Sequence, residues 1–153
     1  IEGLKIGGVN SNLKGTIYPF KYNDFEGLKK LVRKHNIGII KMEVIRDIPP
    51  KNNFLKKVRK LSNEKKVILI FDECTSGFRE CFGGIHKKFN VNPDMLMLGK
   101  ALGNGYPITA VLGNKKTMSS ITKTFISSTF WTDSSGPTAA IKTLEIMERK
   151  KNS

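Results

Sequence analysis

Apolar positions along the chain switch between two spacings. Over residues 25–35 they recur every three or four positions. Phe25, Leu28, Leu31 and Val32 share one stripe, and Asp24 stands before them as an N-cap, so a helix is predicted. Residues 38–45 (GIIKMEVI) read as a strand. Pro49-Pro50 breaks the pattern, and Asn52 or Asn53 can cap the next helix. There Phe54, Leu55, Val58 and Leu61 form the apolar stripe and lysines the other face. Residues 67–71 (VILIF) are an unbroken apolar run, the pattern of a parallel strand buried on both faces. Short strands are predicted at 95–98 and 108–112. A last helix is predicted over 138–149, opened by Gly136-Pro137, with Ala140, Leu144 and Met147 inward. A β-like run covers 15–20, and residues 1–12 show no period, as in a loop or the tail of a missing element.

Helices alternating with buried strands predict an α/β domain with a largely parallel sheet flanked by helices. Ligands in such sheets sit at the carboxyl ends of strands. The chemistry is therefore sought just after Ile45, Phe71, Leu98 and Leu112. The length, 153 residues, suits one domain, and two cysteines close at most one bridge, which excludes a disulfide scaffold. No apolar run approaches the roughly 20 residues of a membrane-spanning helix. No signal-peptide pattern is visible, so a reducing cytoplasm is the expected compartment and no membrane partner is expected.

The net charge of +14 changes the picture less than its size suggests. Such a basic chain has the electrostatic footprint of a nucleic-acid binder. Yet 22 of the 27 basic residues are Lys, spread along the whole chain, and they rise together with 16 Ile and 12 Asn. An AT-rich coding sequence gives that combination. Trp131 and Phe130 also lie in a stretch with almost no basic residues, whereas a nucleic-acid surface interleaves the two. The composition is read as coding bias, and no nucleic-acid partner is expected.

Two strand ends carry chemistry. Asp72-Glu73-Cys74 follows VILIF, and Gly99-Lys100 follows MLML, with Asp72 and Lys100 28 positions apart. Leu96, Met97, Leu98, Ala101 and Leu102 surround Lys100, which predicts a lysine shielded from water. Burial disfavours an ammonium group and exposes a neutral amine suited to Schiff-base chemistry. Pyridoxal phosphate enzymes pair such a lysine with an aspartate on the cofactor's pyridinium nitrogen. His35 and His86 have no companion at metal-ligand spacing, so no metal is expected.

The runs FDECTSGFRECFGG (71–84) and NPDMLMLGKALGNGYPITAVLG (92–113), followed by SSTFWT and Gly136-Pro137, occur in a fixed order. In this they resemble class III, fold-type I, pyridoxal-phosphate aminotransferases, nearest the glutamate-1-semialdehyde aminomutase-like branch. The resemblance implies that Lys100 is the Schiff-base lysine and Asp72 the pyridinium partner. Cys74 then stands where the family usually has a Val against the cofactor ring. Glu43 fits a Glu-Pro strand end in which Val44 replaces the Pro, and Asp47 is the nearest polar candidate for the ring hydroxyl. Gly77-Phe78-Arg79 implies a turn beneath the site, with Arg79 paired to a carboxylate as the plainer reading. Thr132, five positions before Pro137, implies a contact to the cofactor phosphate of a neighbouring subunit, with Thr129 the second candidate. An ordinary Ser/Thr capping loop is the alternative reading of both.

The same resemblance implies that residues 1–153 are the central part of the large cofactor-binding domain. The phosphate loop, the ring-stacking aromatic and the carboxy-terminal small domain are expected outside it. The implied function is transamination or intramolecular amino transfer between a small amino donor and a carbonyl acceptor, in a homodimer. A basic binding module and a truncated, non-catalytic homologue stand as alternatives.

Overall fold

The computed structural model describes residues 7–151, so positions 1–6 of the expected amino-terminal loop lie outside the description. Four strands form one sheet in chain order: β1 (Ile39–Glu43), β2 (Ile68–Asp72), β3 (Met95–Leu98) and β4 (Ala110–Gly113). The first three run parallel, and β4 returns antiparallel to β3. The helices are α1 (Phe25–Lys34), α2 (Phe54–Lys65), the short α3 (Lys115–Met118) and α4 (Ser135–Lys151). This is the mixed α/β architecture that the alternating spacings predict.

Local chemistry accounts for most boundaries. Asp24 Oδ1 accepts from the Gly27 N–H at 2.9 Å and caps α1. Asn53 occupies the cap position of α2 in a left-handed conformation, φ 58°, without a side-chain capping bond. Pro137 falls in the first turn of α4, where its missing N–H costs nothing. Residues 15–20 form no strand; Tyr18 instead stacks on His35, ring centroids 3.9 Å apart.

The main core lies on one face of the sheet. Ile40 and Met42 of β1 and Leu69 and Phe71 of β2 point toward α1 and α2, where they meet Leu28, Val32, Phe54, Leu55, Val58 and Leu61. A second, smaller core joins Leu98 and Leu102 to Ala140 of α4. The run VILIF is therefore not buried on both faces. Ile68 and Ile70 are half-buried, and Ile39 beside them is exposed, because among the described residues no helix covers their side of β1 and β2.

Asp94 fastens the amino-terminal edge of this sheet. Its N–H donates to the Leu69 carbonyl at 2.9 Å, and the Leu69 N–H donates back to Asp94 Oδ2 at 2.8 Å. The same oxygen accepts from Arg59 Nη2 of α2 at 3.0 Å, while Asn114 Nδ2 donates to Oδ1 at 3.1 Å. One carboxylate thus joins α2, β2, β3 and the turn after β4. Asp94→Ala should strand the Leu69 N–H and leave the Arg59 guanidinium only its longer bond to the Asn92 carbonyl. The expected loss in urea unfolding is about 3 kcal/mol. A loss under about 0.5 kcal/mol, the worth of an exposed ion pair, would contradict this role.

Candidate active site

Parallel pairing brings three strand ends level, with Glu43 opposite Asp72 and Asp72 opposite Met97. Strand alternation then separates neighbours: Phe71 and Glu73 turn into the protein, and Asp72 turns to the opposite, open face. Asp72 Oδ1 accepts from the Cys74 N–H at 3.2 Å, and Oδ2 forms an ion pair with Lys41 Nζ at 3.0 Å. Partial burial pushes its carboxyl up, but the bonds from Lys41 and Cys74 outweigh that and hold it below the ordinary range. Asp72 is an anion at neutral pH. The sequence reading missed Lys41; its one available signal was a charge interrupting the apolar run of β1.

Glu73 is fully buried. Its carboxylate accepts from the Ile85 N–H at 2.5 Å, the His86 N–H at 3.1 Å and His86 Nδ1 at 2.7 Å. Burial would raise its pKa, yet these donors together lower it. Gly84 makes the approach possible, since a Cβ there would lie 2.3 Å from His86 Nδ1 and 2.8 Å from Glu73 Oε1. Among the described residues no carboxylate pairs with Arg79; its Nε donates to the Thr75 carbonyl at 2.6 Å.

Beyond β3 the chain turns sharply. Gly99 is extended and packs tightly: a Cβ there would sit 3.3 Å from Thr109 Cγ2 and 3.5 Å from Cys74 Sγ. Lys100 takes a left-handed conformation, φ 46°, at a cost on the order of 1 kcal/mol. That twist sends Leu102 back into the second core and turns Lys100 outward, so the lysine is exposed rather than shielded. Its Nζ donates to Thr75 Oγ1 at 2.7 Å. Lys100 and Asp72 thus both engage the four-residue turn 72–75, from neighbouring strands. Cys74, between them, is half-buried, and burial followed by the Asp72 carboxylate pushes its thiol up, against the opposing charges of Lys100 and Lys41.

The other candidates lie apart from this centre. Thr129 and Thr132 sit in an exposed turn and make no hydrogen bond to Asp72, Cys74 or Lys100. Asp133 does the capping there, its Oδ1 accepting from the Ser135 N–H at 2.7 Å. Asp47 lines a cleft of about 460 Å³ with Tyr18, Phe20, Tyr22, Lys41 and Arg46. That cleft adjoins the centre through Lys41 and includes neither Asp72 nor Lys100.

Comparison with known proteins identifies the family. The model for Aminotransferase class-III matches residues 46–152. The 3-aminobutyryl-CoA aminotransferase of Cloacimonas acidaminovorans is 42% identical over 154 residues, covering 95% of this chain and 37% of its own. The glutamate-1-semialdehyde 2,1-aminomutase of Sulfolobus acidocaldarius is 37% identical over 150 residues, covering 94% of this chain and 36% of its own. Among solved structures, the FumI protein of Sphingopyxis sp. MTA144, in its PLP internal aldimine form, superposes with a TM-score of 0.81 at 27% identity, covering 86% of this chain and 34% of its own. The acetylornithine aminotransferase of Elizabethkingia anophelis superposes with a TM-score of 0.79 at 31% identity, covering 86% of this chain and 37% of its own. The chain belongs to the class-III aminotransferase family and spans just over a third of the curated relatives it matches.

The Glu73 clasp has a pH signature. Its folded carboxyl releases its proton more readily than the unfolded one, whose reference value is 4.5. The contribution is therefore complete above pH 4.5 and is lost as pH falls through the lower, folded value. Glu73→Gln should cost about 3 kcal/mol at neutral pH and flatten the acid limb of a stability-versus-pH curve. An acid limb as steep in the variant as in the wild type would assign the dependence to other carboxyls.

Proposed function

We propose that this chain carries the reactive lysine and the ring-binding aspartate of a pyridoxal-phosphate-dependent amino-transfer enzyme. The observation that supports it is the meeting of an anionic Asp72 and an exposed Lys100 on one turn, held from adjacent strand ends. The donor set fits the cofactor. A partly exposed carboxylate suits a protonated ring nitrogen, and a primary amine bonded to the same turn suits an aldehyde. Gly99 and Cys74 form a small-residue wall that a Cβ at position 99 would crowd. When bound, pyridoxal phosphate supplies an electron sink for the carbanion formed at a substrate's α-carbon.

The protein's own groups do the rest. Asp72 holds a positive charge on the ring nitrogen and keeps its proton in place. Lys100 would take a proton from the substrate carbon and return one, as general base and acid. Thr132, with Thr129 as the second candidate, binds phosphate through its hydroxyl in a neighbouring copy of the chain. Phe125, Phe130 and Trp131, all exposed around those threonines, support such a docked homodimer. The open faces of Ile39, Val111 and Leu112 support reading residues 1–153 as the central part of a larger cofactor domain. The substrates are a small amine and a carbonyl acceptor, or one molecule that is both. Two free thiols, Cys74 and Cys81, fit a reducing cytoplasm.

Two measurements test this in the protein at its natural length. Borohydride treatment of the cofactor-loaded protein should fix the cofactor on Lys100, with Lys100→Ala inactive but folded; a label on another lysine would refute the assignment. Asp72→Asn should lower turnover at least about a hundredfold, the scale of one lost electrostatic stabiliser. Wild-type turnover in that variant would exclude the role.

A further inference from the structure

We infer that Thr75 is a positioning residue for Lys100: its hydroxyl receives the lysine's amino group whenever that group carries no other bond. The inference rests on the reading of Lys100 given above and adds a residue to it. The contact is short, 2.7 Å from Nζ to Oγ1, the length of a charge-assisted hydrogen bond.

Both ends are held independently of the contact. On the Thr75 side, Arg79 Nε binds the carbonyl at 2.6 Å, and the Gly77 N–H closes the turn on the Glu73 carbonyl at 2.8 Å. Thr75 is β-branched, so few χ1 rotamers are open to it. On the Lys100 side, the carbonyl accepts from the N–H groups of Gly103 and Asn104, both at 3.1 Å, which fixes the left-handed turn. Only the flexible lysine stem remains to be ordered, and the hydroxyl orders it.

A hydroxyl suits this task better than a carboxylate or an apolar group. It accepts from an ammonium and donates to a neutral amine, so it holds Lys100 in both protonation states without exchanging a proton itself. An exposed lysine without such an anchor spends its time among several rotamers pointing into water. The hydroxyl keeps it against the turn that also carries Asp72.

Thr75→Val removes the oxygen and keeps the shape; Thr75→Ser keeps the oxygen and removes the methyl. In the cofactor-free protein, Lys100 acylation by an amine-reactive ester, resolved by peptide mass spectrometry, reads the anchoring directly. Thr75→Val should speed it at least about threefold with the other lysines unchanged, as expected for a lost charge-assisted bond. With cofactor, the same variant should lose about tenfold in kcat while KM moves less than about twofold, the pattern of a positioning defect. Thr75→Ser should restore both. Wild-type acylation and turnover in Thr75→Val, or a Thr75→Ser protein as impaired as Thr75→Val, would overturn the inference. Borohydride capture in the wild type separates the two readings. Capture on Lys100 leaves a failed Thr75 test as the failure of Thr75 alone. Capture on another lysine removes both.

Discussion

A carboxylate sealed from water is stable only if the protein supplies the donors that water would have given. Glu73 is such a group, and its shortest donors come from residues 85 and 86, with Ser76 Oγ adding a longer bond, across a loop that otherwise has no regular structure before the turn Ile85–Phe89. The loop is therefore closed by an interaction at its base. Losing one partner would leave a buried charge unpaired, which costs more than the pair contributes. That asymmetry ties the base of the loop after β2 to the clasp. Asp72 and Thr75 flank the clasp, one presenting a carboxylate and the other a hydroxyl.

The period of two in a β-strand does the rest of the placement. With Phe71 and Glu73 facing the helices, Asp72 has to face the other side, and so does Lys41 on the neighbouring strand. The ion pair between them follows from the register of β1 against β2. A one-residue slip would bury Asp72 without a partner and expose Phe71. The hydrophobic core under α1 and α2 thus determines which carboxylate faces the open side of the sheet, although neither Asp72 nor Lys41 belongs to that core.

Much of this was legible in the chain. Apolar periodicity marks the strands and the three long helices within a few residues, and the strand-end rule leads to Asp72 and Lys100 before any comparison. What was not legible has a common cause: it depends on contacts between segments distant in sequence. Glu73 meets His86 thirteen positions away, and Asp94 meets Arg59 thirty-five positions away. Neither pair shares a helix face or a strand register that a pattern would reveal. The expected burial of Lys100 failed for a different reason. Apolar neighbours in sequence shield a residue only when the backbone keeps them on its side, and the left-handed turn at Lys100 sends them away.

That turn also explains why a strained residue is tolerated there. In the short 3-10 turn Lys100–Leu102 the two side chains point to different sides, so that the leucine packs in the second core with Ala140 and the lysine reaches Thr75. Burial of a leucine contributes about 2 kcal/mol, more than the strain of one left-handed residue costs. The core on one side of the turn therefore sustains the geometry that the lysine needs on the other. The Lys100 amine owes its place to the packing of Leu102, just as Asp72 owes its place to the clasp at Glu73.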